Sequence, residues 1–162
     1  MMSSNQIVRI TICILLFAVF IAAASCDNKS NNYGTATIYD TVNNVEGLTL
    51  DIKENTVSES GLTIIIKNET QDEYTFGSSY CVEKQIDGKW YEVPHIIENA
   101  GWNAVGYSVG ENGIREMELE KRWEWLYGKL SPGNYRIIKD CIYSRSPGDY
   151  DEYYIAANFT LE

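Results

Sequence analysis

The chain of 162 residues contains a single histidine, His95, which follows Pro94 in "YEVPHIIENAGW". A histidine that serves as general base or metal ligand needs partners. A lone one beside a proline turn reads as a loop residue. No CxxC, HExxH or EF-hand spacing occurs, so neither a zinc nor a calcium site has a pattern behind it. There is no glycine-rich phosphate loop. Ser58, Ser60, Ser78 and Ser79 have no nucleophile–base arrangement around them and read as turn residues. These absences imply no cofactor and point away from an enzyme. Positive charge is scarce too, with 13 Lys and Arg against 23 Asp and Glu. So acidic a chain does not hold nucleic acid through phosphate contacts. Outside the N-terminal apolar run, no window keeps a long helical period, and no internal repeat is present.

That apolar run, from Ile10 to Ala24, is shorter than the roughly 20 apolar residues of a comfortable transmembrane helix. Arg9 precedes it and small residues end it, the plan of a secretory signal. Ala23-Ala24-Ser25-Cys26 resembles the lipobox of bacterial lipoproteins, with Ala where Leu is commoner. The resemblance implies cleavage after residue 25 and lipid on Cys26. Residues 1–25 then form the signal and residues 26–45 a flexible tether, since "DNKSNNYG" is polar and Asn-rich. Residues 46–162 form one domain, long enough for a proper core. Loss of Arg9 leaves 12 basic and 23 acidic residues, a net charge of −11. The expected attachment is therefore through lipid, on the extracytoplasmic face of the membrane.

Within the domain, short segments alternate. Leu48, Leu50 and Ile52 share one face, as do Leu62, Ile64 and Ile66. "YCVEKQIDGKWYEV" reads as a hairpin turned at Asp87-Gly88, a type I′ signal. "GIREMELE" offers Ile114, Met117 and Leu119, and "NYRIIKDCIY" and "YYIAANFTLE" supply the last two strands. About seven short strands predict an all-β antiparallel sandwich. "LSPGNY" matches a strand entrance with a tyrosine corner at Tyr135. Cys81 and Cys141 lie in strands far apart in sequence. An exported protein permits a disulfide between them, but parity points Cys81 off the core face, so bridge and free thiols both stand. Asp149, Asp151 and Glu152 form an acidic hairpin tip, solvated or weakly calcium-binding.

Aromatics make up 12% of the chain, and two of its four tryptophans lie in "RWEWLYGKL". Such side chains anchor either a core or a recognition surface. A helical turn ended by Gly128 places Trp123 and Leu126 together under the sandwich, with Lys129 near its C-terminal dipole. Trp125 and Tyr127 are then the candidate binding surface; the alternative is that the whole cluster plugs the sandwich end.

"IDGKWYEVP", "WEWLYGKLSPGNYRIIKD" and "PGDYDEYYIAANF" together resemble a family of bacterial immunoglobulin-like domains found in surface lipoproteins of Gram-positive bacteria. The likeness spans Glu46 to Glu162. It implies the fold and a surface location, with a surface protein or cell-wall component as partner, and it carries no catalytic residues. The plan is also similar to that of a bacterial proteinase-inhibitor domain. Inhibition of extracellular proteases through "EVPHIIENAGWN" is thus the alternative function, and a small extracytoplasmic enzyme the third.

Overall fold

A computed structural model describes residues 34–110 and 114–162. The expected signal and Cys26 lie outside the described residues. Two antiparallel sheets make a sandwich. The smaller has the order β1-β2-β7, from Leu48–Ile52, Gly61–Asn68 and Glu116–Arg122. The larger has the order β5-β4-β8-β3-β6, from Lys89–Glu92, Cys81–Ile86, Gly133–Ser146, Tyr74–Phe76 and Tyr107–Val109. β9, Asp149–Leu161, pairs with β8 along its length. The seven expected strands all form. The two additions, β3 and β6, are three residues each, too short to show an alternation.

Alternation explains the core. Leu48, Leu50, Leu62, Ile64 and Ile66 are buried from the smaller sheet, facing Val82, Ile137, Ile155 and Phe159 of the larger. Burying each such side chain contributes on the order of 1.5–3 kcal/mol. Ile114, expected inside, is exposed. β7 starts after it, and Met117 and Leu119 set the inward parity opposite Ile66 and Ile64. The β4–β5 hairpin turns through Asp87 and Gly88 at φ 50 and 78, the two left-handed residues a type I′ turn requires. The tyrosine corner is present: the Tyr135 hydroxyl donates to the Ser131 carbonyl at 2.7 Å.

The domain begins earlier than residue 46. Residues 34–45, placed in the tether by their polarity, lie against the larger sheet. Thr37 N–H donates to the Trp90 carbonyl and Glu92 N–H to that of Thr35. The Asn43 side chain bonds both backbone groups of Ala156. A Cβ on Gly34 would fall 1.7 Å from the Glu92 carbonyl oxygen, so this approach admits glycine alone. Such pairing does not need apolar side chains, and hydrophobic periodicity therefore misses it.

Candidate functional site

Two segments singled out by their aromatics meet at one end of the sandwich. The first is the single-turn helix α1, Glu124–Tyr127, between β7 and β8. The Trp123 carbonyl accepts from the N–H groups of Leu126 and Tyr127, and Gly128 ends the turn at φ 69. Lys129 bonds the Glu59 carboxylate instead of the helix end. The second is the loop of residues 93–106 between β5 and β6. Ile96 N–H donates to the Leu126 carbonyl at 2.8 Å, which seats the loop on the helix.

The helical turn sorts the aromatics. Trp123 and Leu126 are fully buried, as their three-residue spacing predicts. Tyr127, expected partly exposed, is buried at 5% exposure. It follows Trp123 by four, so the turn brings it to the same inward side. Its hydroxyl accepts the Val82 N–H at 3.2 Å, and its ring packs on His95 at 5.1 Å. Trp125, on the far side of the turn, is 45% exposed. Its indole N–H donates to the Arg122 carbonyl at 2.9 Å, an oxygen that also accepts the Tyr80 hydroxyl at 3.1 Å. Trp102 reaches across from the loop to lie edge-on to Trp125 at 5.6 Å and to Tyr80 at 4.9 Å. Ile96, Ile97, Trp102, Val105 and Trp125 are all exposed. Exposed large apolar side chains gathered on adjoining segments are the usual mark of an interaction surface. Beside Trp125 runs an open groove of about 830 Å³, lined by hydroxyls of Thr56, Ser58 and Thr63 and by Glu120, Arg122 and Glu124.

The remaining chemistry is subdued. Cys81 and Cys141 are free. Cys81 pairs with Ile138 on the outer face of the larger sheet, whereas Cys141, three residues on, faces the core. Side chains on opposite faces of one sheet point apart, which forbids a bridge. Burial pushes both thiols up to about 12, so neither is a ready nucleophile. At the acidic tip, Arg145 bonds Asp149 and Asp151 and holds both carboxyls below their usual range. Among the described residues no group of carboxylate, histidine and cysteine side chains is arranged to hold a metal.

Behind Tyr80 sit two buried lysines. Lys139 Nζ donates to the Gly77 and Ser79 carbonyls and pairs with Asp140. Lys121 has its ammonium over the Tyr80 ring at 5.5 Å. Burial, reinforced by Lys139, pulls Lys121 down to about 8. The folded state therefore holds this proton less tightly than the unfolded chain. The charged lysine weakens the fold below pH 8, and the penalty is relieved as pH rises through 8 toward 10.5. Lys121→Met should be more stable than the parent at pH 7. That advantage should shrink by about 1 kcal/mol between pH 7 and 9 in urea unfolding. A constant difference across that interval would mean the lysine is not desolvated.

Neither a curated protein nor a solved structure matches the chain. A family profile does, described as a bacterial Ig-like domain, over residues 44–160. Among the described residues that span takes in all nine strands but for the last residue of β9, together with the tyrosine corner and the aromatic end, and on this match the chain belongs to the bacterial Ig-like domain family.

Proposed function

We propose that this is a membrane-anchored, extracytoplasmic lipoprotein whose Ig-like domain binds a surface protein or cell-wall component through its aromatic end. The observation that carries the binding role is the exposure of Trp102 and Trp125 in edge-to-face contact, rimmed by Ile96, Ile97 and Val105. Tryptophans so placed are typical centres of binding energy. They stand on a rigid base, since the Arg122 carbonyl, the Leu126 carbonyl and buried Tyr127 fix helix and loop together. The test is retention of cell-envelope components on immobilised protein. Trp102→Ala and Trp125→Ala should each weaken saturable retention at least about tenfold, or 1.4 kcal/mol. Retention that survives both replacements would place the binding surface elsewhere.

The anchor is tested separately. Cys26→Ser should shift the protein from the membrane fraction to the soluble one, because a lipidated cysteine carries more than one acyl chain and its loss leaves no comparable hold. A variant that stays with membranes would remove the lipid reading. Protease inhibition is the second reading, favoured by the exposure of residues 94–99 in the same loop. Inhibition of secreted proteases by the purified protein would select it.

A further inference from the structure

The outer face of the larger sheet carries an open cleft of about 300 Å³, at the lower end of the range for small-ligand pockets. Its floor is Cys81 and Ile138 from the paired strands β4 and β8. One wall is Tyr39, from the N-terminal segment docked on the sheet, standing edge-on to Tyr154 of β9 at 4.9 Å. Burial of the Tyr39 hydroxyl beside Cys81 raises its pKa. The opposite wall is Trp102 against Tyr80, with His95 against Tyr127 behind them. Three carboxylates, Glu92, Asp140 and Glu152, line the same space, and no lysine or arginine does. Asp140 is balanced by Lys139 at 3.1 Å and held by the Ser79 hydroxyl at 2.9 Å. Among the described residues neither Glu92 nor Glu152 has a basic partner within ion-pair distance.

We propose that this cleft binds a small organic ammonium ion, with aromatic side chains flanking the cation and Glu92 and Glu152 neutralising it. The chemistry follows from the lining. Aromatic faces carry a negative quadrupole, and a cation laid against them gains attraction that a neutral group does not. The two unbalanced carboxylates add charge attraction and repel anions. A neutral apolar ligand would gain the ring contacts alone. The site adjoins the aromatic end, sharing Trp102 and the side chains of Tyr80, His95 and Tyr127 behind it, but it opens on the outer face of the sheet and stands whether or not that end binds a macromolecule.

Two sources carry the same chemistry: a free quaternary ammonium solute and the side chain of a lysine in a peptide. Choline and Nα-acetyl-lysine amide are therefore used as separate probes, titrated into the purified full chain in mild detergent. Binding is followed through tryptophan fluorescence and the Trp102 indole resonance. The neutral choline isostere 3,3-dimethylbutanol is the control. Saturable binding of either cation with Kd at or below about 1 mM is expected. The isostere should bind at least about tenfold more weakly. Whichever cation binds more tightly identifies the source. Glu152→Gln, at an exposed position on a strand, should reduce affinity about fivefold to tenfold. Trp102→Ala should do the same from the other wall. Equal binding of the isostere, unchanged affinity in both variants, or no saturation up to about 50 mM cation would each overturn the proposal.

Discussion

Trp123→Ala should lower the unfolding free energy by about 3–5 kcal/mol, whereas Trp125→Ala, two residues away, should cost less than about 1 kcal/mol. The contrast comes from the helical turn. Trp123 has no exposed surface, stacks on Phe159 at 5.6 Å and donates its indole N–H to the Glu59 carbonyl at 2.9 Å. Removing it opens a cavity between the sheets and takes one of two donors from the Glu59 carbonyl, which keeps the Leu130 N–H at 2.9 Å. Phe159 in turn stacks on Tyr135 at 5.4 Å, so the cavity would loosen the tyrosine corner as well. Against a typical total of about 5–15 kcal/mol, the loss is a large share of the stability. Urea unfolding of both variants checks the pair, and similar losses for the two would contradict the inward and outward assignment.

Arg136→Ala should be nearly as damaging, at about 3–5 kcal/mol. Arg136 sits on the outer face of β8 but is 7% exposed, because Trp90 covers its guanidinium at 4.7 Å and residues 35–39 pass beside it. It donates to Glu83 Oε2 at 2.7 Å through Nε and at 2.6 Å through Nη2, and to the Thr37 hydroxyl at 3.1 Å. Glu83 is 1% exposed, and its other oxygen, Oε1, has no hydrogen-bond partner among the described residues. Loss of the arginine therefore leaves a buried carboxylate with nothing to offset its desolvation. The double variant Glu83→Met/Arg136→Met should recover most of the loss, since the buried pair as a whole need not be net stabilising. A double variant as unstable as the sum of the two singles would show that packing on Trp90, not charge, is what the site supplies.

The strands that alternate cleanly were legible in position and inward face: Leu48 to Ile52, Leu62 to Ile66, and the hairpin turned at Asp87-Gly88. A period of two encodes which face is buried, and a left-handed Asp-Gly pair encodes the turn. The tyrosine corner was legible for the same local reason, since its acceptor lies four residues from Tyr135. Tyr127 was misplaced because a pairwise reading of the turn stopped at Leu126, one short of the four-residue spacing that carries Tyr127 inward. The edge pairing of residues 34–45 left no trace because backbone hydrogen bonds do not depend on side-chain hydropathy.

Composition and spacing alone point to the all-β class, the inward faces of the alternating strands and the scarcity of catalytic groups, because each depends on residue type and on neighbours within a turn or a strand. Folding alone brings Trp102 to Trp125 and gathers Tyr39, Tyr154, Glu92 and Glu152 around one cleft. These contacts join segments with no local pattern in common. They exist because an antiparallel sandwich delivers its loops to a shared end and its edges to a shared face, and only the packed chain specifies which residues arrive there.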